Sequence, residues 1–318
     1  MTTDRSIGQC SRLLQMKELT RRVFHRWLVP ALLEWAAIVA LFWIGFTAHH
    51  WFVWILVVIV LGSRQHALGV LGHDGAHYTA ARNKRVNDIA SALLCFWPVL
   101  TSLADFRRFH YNHHRYFNSE YDPEIVFKNH MSARQWQIPI SRKQILLYLV
   151  GDFCGLSALE VVKARRVLSM VGPEFENAPG RTERSAWKPW IGPCVWLVVV
   201  GSILYSTGLL IALAVWVIAL LTSFWAFFRL RTWTEHGGTS STHRIWLNRW
   251  QKLLITPHGS WSHYEHHAQP GIPFWSRHLV CDPAARTMSL WEFLGSFQAP
   301  DSISLPSMIG TAAEPYAN

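Results

Sequence analysis

The feature that most constrains this chain is a set of four apolar stretches of bilayer length. Crossing the hydrocarbon core takes about 20 apolar residues in a helix, because each contributes only ~1.5 Å of rise. Residues 28–48, 51–71, 190–208 and 209–228 meet that need. The first carries one acid, Glu34. The second stays apolar to Gly62 and then continues with helical spacing through Arg64 and His66. Only 16% of the 318 residues are charged, against about 25% in an ordinary soluble domain. A disordered chain is excluded and a plain soluble enzyme is disfavoured.

The links inside each pair of stretches are very short: His49-His50 in one, Tyr205-Ser206-Thr207-Gly208 in the other. Both pairs therefore read as helical hairpins. Neither tip has a Lys or Arg, and apart from Arg64 none occurs within the four stretches. With four spans, both termini and the central segment face one side, and the positive-inside rule makes that side the cytoplasm. The membrane is a bacterial inner membrane, or the endoplasmic reticulum in a eukaryote. The net charge of +10 is then a record of orientation and of contact with anionic lipid, and nucleic acid binding is not expected. Trp27, Trp43, Trp51, Trp54, Trp187, Trp190, Trp225 and Trp233 fall near predicted helix ends, where indoles favour the interface. Residues 89–104 and 145–162 are apolar but interrupted by Pro98 or by Asp152 and Glu160, and read as re-entrant or interfacial helices. The expected fold is an all-α integral membrane protein with a cytoplasmic helical cap. Its parts are a basic segment over 1–27, one membrane-embedded domain over 28–298, and a disordered tail over 299–318. No cleavable signal peptide is evident in the first 27 residues. The five cysteines show no CxxC spacing and read as buried free thiols.

A membrane scaffold does not need 17 His. Eight fall in three clusters: His73 and His77; His110, His113 and His114; His263, His266 and His267. Positions i, i+3 and i+4 share one face of a helix, so each cluster can aim its imidazoles one way. Imidazole suits iron, copper and zinc, and eight ligands exceed the needs of one ion. A zinc protease would need His-Glu-x-x-His, whereas the first cluster has Asp74 in place of the Glu. A ferritin-like site would need Glu-x-x-His pairs, which are missing. Acids close to these motifs, Asp74, Asp105, Asp122, Glu235 and Glu265, are candidates to orient the rings. Asp122 and Glu124 read equally well as a solvated acidic turn around Pro123.

The order and spacing His-x3-His, His-x2-His-His, His-x2-His-His, with four spans, resembles the membrane fatty-acid desaturase superfamily. That group includes acyl desaturases, lipid hydroxylases, carotenoid ketolases and hydroxylases, and olefin-forming decarboxylases. The resemblance covers roughly 51–279. It implies two iron ions held almost wholly by histidine, O2 as co-substrate, and a further ligand after the fourth span, here His236. It also implies a division: His73, His77, His110, His114 and His266 around one iron, and His113, His236, His263 and His267 around the other. In some relatives an Asn one turn before the extra His holds a metal-bound water; Thr232 stands there in this chain. Of the other histidines, His66 lies two turns before His73, and His243 and His258 flank the motifs. His25, His49, His50, His130 and His278 read as interfacial or loop residues.

The leading expectation is an O2-dependent oxidoreductase of lipid metabolism, desaturating or hydroxylating (as a monooxygenase) a fatty acyl chain. A carotenoid ketolase or hydroxylase and an olefin-forming decarboxylase are the other enzyme readings. A membrane metal carrier or sensor is the non-enzyme reading. The chain shows no dinucleotide fingerprint and no Fe–S cysteine run, so an external ferredoxin, rubredoxin or cytochrome b5-like donor is implied.

Overall fold

The computed structural model describes residues 16–119, 121–132, 139–161, 188–236, 242, 244–281 and 287–296. These are mostly helical. Helix α1 spans Phe24–Ala48 and α2 spans Trp51–Ala76. His49 takes a left-handed conformation (φ 52°) at the end of α1, which lets a two-residue link reverse the chain. The short helix α3 (Lys84–Ser91) runs into a π-helical turn over Ala92–Phe96, and α4 spans Leu103–Arg115. Helices α5 (Pro123–Ser132) and α6 (Arg142–Phe153) follow. Helix α7 (Lys188–Ser206) is joined to α8 (Leu210–Leu221) through Gly208, whose φ of 73° closes the second reversal. A break at Thr222 separates α8 from α9 (Ser223–His236). Helices α10 (Arg249–Leu254), α11 (His263–Ala268), α12 (Phe274–Arg277) and α13 (Leu290–Ser296) follow. One parallel pair, β1 (Arg244–Trp246) with β2 (Thr287–Ser289), interrupts the all-α plan.

Among the described residues, three helical stretches are long and apolar enough to cross a membrane: Met16–Ala48, Trp51–Ala76 and Leu210–His236. The stretch Trp190–Ser206 is apolar but shorter. Two of the long ones outrun their sequence-based limits. The 26 residues of α2 extend about 39 Å, some 9 Å beyond a ~30 Å hydrocarbon core. Its last turn, with His73, and the last turn of α9, with His236, are therefore direct continuations of apolar helices. Residues 89–104 and 145–162 give short broken helices as far as they are described. The 299–318 tail and residues 1–15 lie outside the described residues.

Helices α2 and α9 touch at Gly62. A Cβ there would lie 2.1 Å from Ser223 Oγ and 2.5 Å from the Phe224 backbone nitrogen. Ser223 Oγ donates to the Val58 carbonyl at 2.6 Å, a small-residue contact of the kind that lets membrane helices approach. From this contact both helices run the same way for 11 and 13 residues, about 16–20 Å, and deliver His73 and His236 to the same end. Gly62→Ala is expected to cost about 1–3 kcal/mol of stability through overpacking, read as a lower melting temperature in detergent.

An apolar cluster of Ile38, Val57, Leu61, Leu68, Val215 and Trp216 joins α1, α2 and α8. A second, with Phe227, Trp233, Ile245, Met288 and Phe293, seats the strand pair against α9. Trp27 and Trp233 are buried and belong to the core, not to an interfacial belt. Trp27 donates its indole N–H to the Leu71 carbonyl at 3.0 Å. Trp43 and Trp51 are exposed, as an interfacial role requires, and Trp187 lies outside the described residues. Cys95 is buried, whereas Cys154 and Cys194 are exposed, so the buried-thiol expectation fails for those two.

Buried charges inside the helices are paired. Glu34 accepts from Arg64 at 3.1 Å and faces His258 Nε2 at 2.9 Å. Asp152 receives Arg229 Nε at 2.5 Å. An unpaired charge at such positions is costly.

Candidate metal centre

Each histidine motif sits where a helix ends or begins. His73 closes α2 and His77 caps it. His110, His113 and His114 occupy the last turns of α4, whose start is fixed by Ser102 Oγ accepting from the Asp105 N–H. His263, His266 and His267 lie on α11, and His236 ends α9. The i, i+3, i+4 spacing puts each set on one face, and the packing turns those faces together.

The nine rings form one continuous cluster with two foci. In the first, His73 lies with its ring centroid 4.4 Å from both His110 and His266, and His77 lies 4.8 Å from the same two. His114 Nε2 is 2.9 Å from His110 Nε2 and 3.0 Å from His266 Nε2. In the second, His263 Nε2 is 2.9 Å from His236 Nε2 and 3.1 Å from His267 Nε2. His113 lies 5.0 Å, ring to ring, from both His236 and His267. The foci adjoin through His114 and His267, 4.3 Å apart.

This arrangement fits bound metal better than hydrogen bonding. The buried Nε2 atoms of His73, His77 and His113 have no hydrogen-bond partner among the described residues. Several Nε2 atoms converge on common points at 2.9–3.4 Å, where imidazole pairs make poor mutual hydrogen bonds. Donors about 2.1 Å from one ion, at angles between octahedral and tetrahedral, stand about 3.0–3.4 Å apart. Three donor sets emerge from donor-atom distances alone among the described residues: His73, His77, His110 and His266 in the first focus, and His113, His236 and His267 with Glu235, His236 and His263 in the second. Burial pulls the His114 imidazole down to about 3, and lowers His110, His263, His266 and His267 well below their ordinary value. Neutral rings keep the lone pairs that a metal needs.

The carboxylates sort by which ring nitrogen they meet. Asp122 accepts from His113 Nδ1 at 2.9 and 3.1 Å and from the Asn118 and Glu124 N–H groups. That leaves His113 Nε2 free to face the cluster. Glu235 Oε1 lies 3.3 Å from His263 Nδ1 and receives Arg231 at 2.6 Å. Asp74 Oδ1 is 3.8 Å from His73 Nδ1, and its carboxylate also holds Arg277 and the Phe274 N–H. Glu265 is clamped by Arg244 of β1, so it orients α11 rather than a ring. Asp105 forms a partly exposed pair with Arg108. The Thr232 hydroxyl donates to the Phe228 carbonyl at 2.7 Å.

Several placements were not visible in the sequence. Asp122 is buried and Glu124 is turned into the second focus, so the solvated-turn reading of this pair is overturned. His258 meets Glu34, far in sequence from the motifs. His66 is buried against Phe224. His243 and the His130 side chain lie outside the description. Arg277 was missed altogether; its only sequence signal is proximity to the third motif.

Residues 49–288 match the Fatty acid desaturase family. The chain belongs to that family. It is 26% identical over 243 residues to the dihydrorhizobitoxine desaturase of Bradyrhizobium elkanii, covering 72% of this chain and 66% of that protein. It is 34% identical over 80 residues to the sn-1 oleoyl-lipid 12-desaturase of Arthrospira platensis, covering 25% of this chain and 22% of that protein. The chain thus spans just under two thirds of the first relative and a smaller part of the second. Desaturases of this family generally use iron, which agrees with the chemistry of the donor set.

Proposed function

We propose that this desaturase-family member is an O2-dependent, two-iron oxidoreductase that desaturates the acyl chain of a lipid. The observation that carries this reading is the nine-histidine cluster at the ends of apolar helices. A non-catalytic metal carrier would be expected to place ligands along a path through the spans. Both relatives are named as desaturases, which favours loss of two hydrogens over hydroxylation.

In this reading His73, His77, His110, His114 and His266 hold one iron. His113, His236, His263 and His267 hold the other. Bound iron supplies the one-electron chemistry that activates O2 and breaks an unactivated C–H bond, which no side chain achieves alone. The protein's own contribution is geometric and electrostatic. Asp122 fixes the His113 ring through Nδ1, and Glu235 approaches His263 from the same rear side. Asp74 ties the end of α2 to the Phe274–Arg277 segment. The rings of His73, His110, His113, His263 and His266 are buried, which keeps bulk water from the cluster.

The topology is four spans in two hairpins, with both termini and the cluster on the cytoplasmic side. One domain covers 28–298. Membrane lipid surrounds the apolar helices, and an external ferredoxin, rubredoxin or cytochrome b5-like protein delivers electrons to the basic cytoplasmic face.

The test is to purify the protein with iron and supply reductant, O2 and membrane lipids. Products are then read by mass spectrometry. Loss of two hydrogens from an acyl chain is expected. Gain of oxygen would mean hydroxylation, and loss of CO2 from a free acid would mean decarboxylation. Zinc as the sole functional metal, with no O2 uptake after iron loading, would sink the oxygenase reading.

A further inference from the structure

We propose that Glu124 is an oxygen ligand of the metal ion in the second focus. This rests on the two-ion reading above and makes the foci chemically different.

Local sequence aims this side chain. In Asp122-Pro123-Glu124 the proline opens α5, where its missing N–H is not needed. Asp122 Oδ1 accepts the Glu124 N–H at 2.9 Å. The same Asp122 carboxylate holds His113 Nδ1. One anchor therefore sets both the ring and the start of the helix that carries Glu124.

The two nitrogens of His113 then discriminate the roles of the two acids. Asp122 meets Nδ1, the rear of the ring. Glu124 Oε2 lies 3.3 Å from Nε2, the nitrogen facing the cluster, and 3.8 Å from His236 Nε2. Although close, His113 Nε2 makes no hydrogen bond, so the contact with Glu124 is one of neighbouring donors. Glu235 is different: it approaches His263 at Nδ1, while His263 Nε2 faces His236.

The carboxylate oxygens of Glu124 are divided. Oε1 pairs with Lys128, one turn on, at 2.5 Å. Oε2 is turned to the rings. In the first focus the acid nearest a ring nitrogen is Asp74, on the Nδ1 side of His73. The second focus thus offers four imidazoles and one anionic oxygen, the first five imidazoles. A hard oxygen donor favours a harder ion, so the two irons should differ in electronic environment and retention.

The experiment uses iron-57-loaded full-length protein in detergent, comparing wild type, Glu124→Gln and Lys128→Gln. The readouts are iron per chain under chelator challenge and the Mössbauer spectrum. Glu124→Gln should keep the first ion with unchanged parameters. The second ion should change its quadrupole splitting and be held at least about 10-fold less tightly. Lys128→Gln should keep both ions. Two ions held as in wild type with an unchanged spectrum in Glu124→Gln would overturn the proposal. So would the same loss in Lys128→Gln, because Glu124 would then serve only its lysine. Wild type holding fewer than two irons would instead defeat the two-ion reading itself, and this proposal with it. Should Glu124→Gln fail to accumulate, Glu124→His decides, since it restores a donor but no partner for Lys128. A second ion that is lost, or held with an altered quadrupole splitting, supports ligation there, and two ions with the wild-type spectrum overturn it.

Discussion

Replacing His110 with alanine is expected to abolish product formation while the protein still accumulates in the membrane. The ring of His110 lies 4.4 Å from His73, 4.8 Å from His77 and 4.5 Å from His114. Its loss removes a donor from the middle of the first focus. Removing a group that merely orients a ligand costs about 10–100-fold in metal affinity, so loss of a ligand should exceed that. The helix should survive, because alanine is the best helix former and the apolar packing lies elsewhere. Measured together, iron per chain should fall toward one, activity should vanish, and melting of the metal-free protein should change little. Full activity in this variant would remove His110 from the ligand set.

A second large effect is expected at Asp74 and Arg277. The two are 203 residues apart and nearly fully buried, at 1% and 2% exposure. Their pair fastens the Phe274–Arg277 segment to the end of α2, and Phe274 N–H adds a bond to Asp74 at 2.9 Å. Breaking a buried ion pair leaves an uncompensated charge, at a cost of about 3–5 kcal/mol. Arg277→Met and Asp74→Leu should each lower folded yield and melting temperature sharply. The double variant Asp74→Leu/Arg277→Met should lie closer to wild type than either single variant, because no charge is then stranded. If the double variant is as damaged as the sum of the singles, the pair is not the source of the stability.

Much of the site was legible because local spacing carries it. His263, His266 and His267 fall on one face of a helix whatever the rest of the chain does, and the same holds for His110, His113 and His114. The acids were harder. Glu235 and Asp74 stand next to ligand candidates in sequence, yet Asp105, five residues before His110, pairs with Arg108. Adjacency does not tell which ring nitrogen a carboxylate meets. Glu124 looked like part of a polar turn because the anchor that turns it inward, Asp122 bound to His113, exists only once α4 and α5 have packed.

Hydrophobic periodicity and charge asymmetry were sufficient, from the sequence alone, for apolar helices of membrane length and for three histidine faces. These depend on the 1.5 Å rise and 3.6-residue turn, which are properties of the backbone. Only the tertiary structure decided what those faces meet. The parallel course of α2 and α9 from the Gly62 contact, the burial of Trp27 and Trp233, the seat of His258 on Glu34, and the reach of Arg277 to Asp74 all depend on how helices rotate and pack. Such contacts join residues up to 224 positions apart, and no local spacing encodes them.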